Sequence, residues 1–288
     1  MIILKNETLT ATIATKGAEL QQLINRQTGI NYLWSGNAAY WSKYSPVLFP
    51  IVGGLKNDTY QYKGQSYQLP RHGFAREKEF IAQQLNDSEA VFTLREDEQT
   101  KKVYPFSFVL KLRYQLRDGT LYCTYEVYNP AEEVLLFSIG GHPAFAVPLV
   151  NELTYTDYYL AFNKAEELNR WKIIDSLIAT TAEPVVTQNN RLVLHPSLFY
   201  EDAIVLKQLK SNCITLVSDK NKHGLSFYFD DFPFFGIWAA KDAPFVCLEP
   251  WCGIGDSINH NQQLPDKEGI NKLAPGESFS RTWSVACF

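Results

Sequence analysis

The sequence predicts an all-β protein, and three observations carry that expectation. Apolar residues recur at every second position along most of the chain, the spacing that turns one face of a strand to a core. In residues 106 to 127 the alternation runs into Arg117-Asp118-Gly119 and out again, and Asp-Gly between two such runs is the strongest short-range hairpin signal. Convincing helical periodicity is scarce, and the strands follow one another at the roughly 8- to 12-residue spacing of a sandwich or barrel. No fixed-period repeat and no Pro- or Ser/Gly-rich linker interrupts the 288 residues, so residues 1–288 are read as one large domain.

The elements follow in order. Leu9, Ala11 and Ile13 alternate with Thr, and Gly17 leads into Ala18 to Ile24. Asn25 to Gly29 is a turn, and Asn31 to Trp34 reads as the next strand. Tyr60 and Tyr62 alternate up to Lys63-Gly64, where Tyr67 and Leu69 resume the pattern as a second hairpin. Phe106, Phe108, Leu110, Leu112, Tyr114 and Leu116 form one arm of the main hairpin, and Leu121, Cys123, Tyr125 and Val127 the other. Later strands are expected at 153–162, 203–209, 213–218, 225–229, 236–240, 245–249 and 279–285, with short turns near 38–42 and 196–200.

Composition excludes several function classes. A net charge of −4 with 20% charged residues gives no basic stripe for nucleic acid. No stretch approaches the length that spans a membrane, and the N-terminal residues show no leader pattern. The five cysteines are odd in number and scattered, which fits free thiols in a reducing cytosol. Cys247 and Cys252 lack zinc-site spacing and have no second pair, so no metal is expected. The 14% aromatic share suits strands, and also surfaces on which sugars stack.

The stretch around which the chemistry gathers is Phe245-Val-Cys-Leu-Glu-Pro-Trp251. Its apolar run reads as a buried strand ending on Glu249, with Pro250 stopping it. A carboxylate in such a place is structurally paired, metal-bound or kept for chemistry. Two histidines have the right character. His142 follows Gly140-Gly141 and precedes Pro143, and the glycines permit an unusual backbone and close approach of a ligand. It is either a structural strand-end histidine or a side chain that must be aimed. His72 lies in Pro70-Arg-His-Gly-Phe-Ala-Arg76, between Arg71 and Arg76. That loop is either a solvated basic turn or a site in which Arg76 binds phosphate or sugar hydroxyls bidentately. Asp202 is the second carboxylate candidate, because it opens a strand. Asp230, Asp231 and Asp256 read as solvated turn residues, and nothing around His195, His223 or His260 is arranged to tune a pKa. Nucleophile-elbow, phosphate-loop, zinc-protease and dinucleotide motifs are absent.

Six segments in this order resemble the aldose 1-epimerase (galactose mutarotase-like) superfamily, and within it the LacX-like branch: Phe49-Pro-Ile-Val-Gly53, Leu69 to Arg76, Phe137 to Phe145, Asp202-Ala-Ile-Val205, Ala243 to Trp251, and Leu273 to Phe279. Each segment alone is weakly specific; together they span nearly the whole chain. The resemblance implies a large antiparallel β-supersandwich and an isomerase without cofactor that interconverts the α and β anomers of a hexose. It implies Glu249 as general base, His142 as general acid, His72 as a positioning histidine and Asp202 as a partner of sugar hydroxyls. A carboxylate beside it is expected to lift the His142 pKa toward or above 7. Phe74, Phe145, Trp238 and Trp251 are candidates to stack on the sugar. One departure concerns the loop after Gly53, where the family commonly presents an Arg to the sugar and this sequence has Gly54-Leu-Lys56. Either Lys56 replaces that contact or it is lost. Two rival readings accompany the first. Arg71, Arg76 and Lys56 can form a phosphate pocket for a hexose-6-phosphate 1-epimerase, or the scaffold can bind sugar with little catalysis. A retaining glycosidase would need Glu249 and Asp202 about 5 to 5.5 Å apart.

Overall fold

Two large antiparallel sheets lie face to face in a computed structural model that describes residues 1–288. The first runs in spatial order Arg191–Val193, Tyr159–Phe162, Cys213–Val217, Leu225–Tyr228, Ser278–Cys287, Thr120–Tyr128, Val109–Arg117, Glu89–Arg95 and Ile81–Asn86. The second runs Leu177–Pro184, Asn169–Ile174, Ile204–Lys207, Phe234–Trp238, Phe245–Cys252, Ile139–Gly141 and Val47–Leu48, with Ala144–Ala146 also paired to Phe245–Cys252. A three-stranded sheet (Ile2–Lys5, Leu9–Ile13, Leu20–Asn25), the strand pair Leu135–Phe137/Asn271–Leu273 and the hairpin Thr59–Tyr62/Gln65–Gln68 complete the architecture. The fold is an antiparallel β-supersandwich.

The alternation in the sequence is the alternation in burial. Along Thr120–Tyr128, Leu121, Cys123, Tyr125 and Val127 are buried while their neighbours are not. The buried face of the first sheet meets the inner face of the second: the ring of Phe227, from Leu225–Tyr228, sits 5.9 Å from Phe145 and 6.0 Å from Phe235. Trp283 stacks on Phe227 at 5.4 Å and donates its indole N–H to the Tyr125 hydroxyl at 2.6 Å, which satisfies the polar handle of a ring buried between two sheets.

The structure departs from the sequence expectation in several places. Phe245–Cys252 continues through Pro250 and is buried along its whole length. Pro250 has no N–H to donate, but the loss falls at a gap. Leu248 N–H bonds the Pro143 carbonyl, so the nitrogen two residues on faces the same neighbour, at the break between Ile139–Gly141 and Ala144–Ala146. Residues 31–34 make only isolated bridges, at Asn31 and Leu33. In the stretch 153–162 only Tyr159–Phe162 is strand, after a 3₁₀ turn at Tyr155–Asp157. The strands the sequence does not announce include Ile81–Asn86, Glu89–Arg95, Asn169–Ile174 and Leu177–Pro184, and the short Ile2–Lys5, Val47–Leu48, Arg191–Val193 and Asn271–Leu273. All five cysteines are free and buried.

Candidate active site

Phe245–Cys252 carries the carboxylate, and its neighbours carry the rest. Ala144 lies opposite Cys247 and Ile139 opposite Cys252. These two pairings share one register, in which position 142 falls opposite 249. Residues opposite one another in a sheet point to the same face, so His142 and Glu249 meet although the strand partner is broken there. His142 Nε2 lies 3.3 Å from Glu249 Oε1, with the two side chains 10% and 2% exposed. On the other side, Gly236 is opposite Glu249. A Cβ at 236 would stand 2.5 Å from the Trp251 ring and 3.3 Å from Glu249 Cβ, and one at 140 would stand 2.7 Å from the same indole. Glycine at both positions makes room for Trp251 beside the carboxylate.

His72 reaches the site from the loop after the Phe49-Pro50 turn, on a backbone that few side chains tolerate. His72 and Gly73 have φ of 69° and 70°. A Cβ at 73 would press to 2.4 Å from the Phe49 carbonyl oxygen. His72 is held by a reciprocal pair: its N–H donates to the Gly53 carbonyl at 2.9 Å, and Gly53 N–H donates to its Nδ1 at 3.1 Å. A backbone N–H can only donate, so Nδ1 accepts and Nε2 carries the proton. Arg71 Nε, 3.3 Å from Nε2, is a competing donor, and the shorter contact from the fixed backbone decides against it. The His72 ring meets the His142 ring edge-on at 5.8 Å.

These groups line a cleft of about 280 Å³, with Trp41, Arg71, Arg76, Asp202, Ala203, Trp238 and Trp251 forming the rest of its wall. Asp202 takes a positive φ of 81°. Its Oδ1 accepts from Ala203 N–H at 2.7 Å, and its Oδ2 faces Arg71 Nη1 at 3.6 Å. Arg76 donates to the Arg71 carbonyl at 2.9 Å, while its buried Nε has no partner. Trp41 stacks on His142 at 4.9 Å and 30°, and Trp238 meets that imidazole edge-on at 5.5 Å.

A larger cavity of about 770 Å³ runs along Arg170, Arg191, His195 and Tyr200. Its His195 is engaged by Ser197 and its Glu201 by Arg170 and Lys172 near solvent. The smaller cleft is the one that gathers buried ionisable groups against one another.

Burial dominates the electrostatics. Desolvation raises Glu249 well above the ordinary carboxyl range, with the Asp202 charge adding to it and Arg71 opposing. Desolvation lowers His142 to about 3, helped by the charges of Arg71 and Arg76. His72 is pushed well below the imidazole range by burial, then by His142 and the two arginines. The expected lift of His142 by its carboxylate neighbour is therefore reversed: loss of water sets the direction of the shift. Burial thus favours a neutral carboxyl beside a neutral imidazole. That state and the ion pair differ only in the position of one proton across the 3.3 Å contact.

The sequence reading also needs correction at the edges of the site. Lys56 is absent from the cleft wall; its Nζ donates to the Ile258 carbonyl at 3.0 Å and its backbone N–H to Asp256 at 2.9 Å. Gly54 cannot present a longer side chain without a shift, since a Cβ there would lie 2.7 Å from the Ser176 carbonyl oxygen. Arg71 and Arg76 are the guanidinium groups that the cleft does contain. Asp256 is not a solvated turn residue: it is 1% exposed and paired with buried Lys267 at 2.7 Å. Phe145 is fully buried in the core, and Phe74 packs on Phe49, Tyr104 and Phe108, leaving Trp238 and Trp251 of the four proposed stackers. Trp41 was missed. Its signal was a Trp in a polar turn, outside any strand alternation. The donors that can hold a metal ion are His142, Cys247 and Glu249, whose ligand atoms lie within 4.8 Å of one another.

Comparison with known proteins follows the same lines. A family model described as aldose 1-epimerase matches residues 1–285. The chromosomal protein LacX of Lactococcus lactis subsp. lactis is 34% identical over 294 residues, covering 99% of this chain and 98% of that protein. The crystal structure of a galactose mutarotase related enzyme from Lactobacillus acidophilus superposes with a TM-score of 0.95 at 33% identity, over 100% of this chain and 97% of that one. A galactose mutarotase-like protein from Lactobacillus casei superposes with a TM-score of 0.93 at 30% identity, over the full length of both.

Proposed function

The chain belongs to the aldose 1-epimerase family, and from that premise we propose that it is a mutarotase, interconverting the α and β anomers of a hexose at the His142–Glu249 pair. The observation that carries the proposal is the placement of a carboxylate and an imidazole 3.3 Å apart on one sheet face, in a cleft of a size that admits a monosaccharide. Mutarotation moves one proton from the C1 hydroxyl and delivers another to the ring oxygen. With a sugar bound, its hydroxyls donate to the carboxylate and stabilise the ion-pair arrangement. Glu249 then accepts the C1 hydroxyl proton as His142 gives its proton to the ring oxygen, and the C1–ring oxygen bond opens. The product state on the protein is again a neutral carboxyl and a neutral imidazole, which burial favours. Rotation about C1–C2 and reversal of both transfers close the ring on the other face. Neutral His72 donates from Nε2 to hold the sugar, and Asp202 and Arg71 take its hydroxyls. General acid–base assistance of this kind is worth about 10²- to 10⁴-fold.

A second reading has its own support. The unpartnered Arg76 Nε and the two guanidinium groups, opposed by the Asp202 carboxylate alone when the buried pair is neutral, leave the cleft positive. That favours a sugar with an anionic substituent, such as a hexose 6-phosphate. Polarimetric decay of fresh α-D-glucose and α-D-galactose, with glucose 6-phosphate followed by NMR, separates the readings. Acceleration of the free sugars supports the first, and acceleration of the phosphate alone supports the second. No acceleration of any of them refutes both.

A further inference from the structure

Behind the cleft wall lies a buried ionic hub that the acid–base chemistry does not use. Asp256 is 1% exposed and every polar atom it owns is engaged. Its N–H donates to the Gly54 carbonyl at 2.9 Å, and its own carbonyl accepts from Ile178 at 2.8 Å. Oδ2 accepts from Lys56 N–H at 2.9 Å, and Oδ1 accepts from Lys267 Nζ at 2.7 Å, with His260 Nε2 3.7 Å away. Lys267 is 3% exposed. Isolated charges in such a place cost several kcal/mol or more, so each member of the pair needs the other.

The geometry it fixes is that of residues 53–56. Asp256 grips the chain on both sides of Leu55, through Gly54 and Lys56. Gly53, with φ of 71°, is pressed against Gly255, where a Cβ would meet Gly255 Cα at 2.6 Å. Gly53 in turn makes the reciprocal bonds that orient His72. We infer that the Asp256–Lys267 pair is a positioning device for His72: by seating Gly53 it fixes the imidazole as the Nε2–H tautomer, a hydrogen-bond donor toward the ligand. His72 Nε2 has no protein acceptor and faces Arg71 Nε at 3.3 Å, so without the Gly53 donor that guanidinium favours the opposite, Nδ1–H, tautomer.

Histidine ¹⁵N NMR of the full-length protein tests this directly. Wild-type His72 should show an unprotonated Nδ1 and a protonated Nε2. In the double variant Asp256→Asn/Lys267→Met, which removes both charges together, both tautomers should appear in a chain with retained amide dispersion. A second variant, Gly53→Ala, displaces the same loop while leaving the ion pair intact and should do likewise. Loss of outer support for a site residue commonly costs about 10- to 100-fold in activity, and here it should fall on kcat more than on KM. The kinetic arm rests on the mutarotation reading; the tautomer arm does not, and it decides the matter even if wild type moves no sugar. An Nδ1–H tautomer in wild type, or an unchanged Nε2–H tautomer in a folded variant, overturns the inference.

Discussion

At the scale of single residues, burial pushes Glu249, His142 and His72 toward their neutral forms. His142 and His72 are both held below the ordinary imidazole pKa of 6.5, His142 near 3. Between those values the unfolded chain binds protons that the native one refuses, so stability falls as pH drops from 6.5 toward 3, by up to about 1.4 kcal/mol per pH unit for each histidine. Glu249 has the opposite sign: its folded pKa is raised, so its contribution is lost as pH climbs above 4.5. Below 4.5 only the histidines differ from their unfolded state among these three. Thermal unfolding from pH 4.5 to 3 should therefore show a smaller loss of Tm for His142→Gln than for wild type; equal slopes would mean that the imidazole is charged when folded. Lys56→Met should leave KM unchanged, because the ammonium is spent on the Ile258 carbonyl. A large rise in KM would return Lys56 to the sugar site. That Glu249 and His142 stand out was legible in the sequence, because a carboxylate on an apolar run and a histidine after two glycines are costly choices, and the fold brings the two together. The Lys56 and Asp256 roles were not legible, since long-range packing decides whether a loop charge is solvated or buried.

At the scale of elements, the central strand Phe245–Cys252 is shaped by what its neighbours omit. Gly140 and Gly236 flank it on either side, and both leave space that the Trp251 ring fills. Gly236→Ala should displace Trp251 and Glu249 together, costing about 1–3 kcal/mol by overpacking and lowering kcat in a protein that still folds. Unchanged kcat would show that the carboxylate tolerates movement. The hairpin at Asp118-Gly119 was plain in the sequence because one face is core and the other solvent. Ile81–Asn86 was not, because it is the outer strand of its sheet and largely exposed, with no alternation to write. Asn169–Ile174 is half-exposed on successive residues for a similar reason. Pro250 misled because its missing N–H falls where the neighbouring strand is already broken.

At the scale of the whole molecule, the two sheets meet through aromatic side chains, and the site stands on that contact. A Cβ at Gly141, next to His142, would touch the Tyr125 hydroxyl at 2.5 Å and the Trp283 indole at 3.2 Å. The first sheet therefore supports the backbone from which His142 projects. Trp283→Ala should cost about 3–5 kcal/mol in unfolding free energy, and activity should decline at temperatures where the variant is still folded. Activity that tracks the folded fraction would confine Trp283 to stability. The central claim is that Glu249 and His142 act as one proton-exchanging pair. Its most direct test is saturation-transfer NMR between the anomers of glucose, galactose and glucose 6-phosphate, with wild type, Glu249→Gln and His142→Asn at equal concentration. The account predicts wild-type exchange with at least one of these sugars, and a loss of about 10²- to 10⁴-fold in each variant. Exchange that survives either substitution unchanged, or wild type that accelerates none of the three sugars, would contradict it.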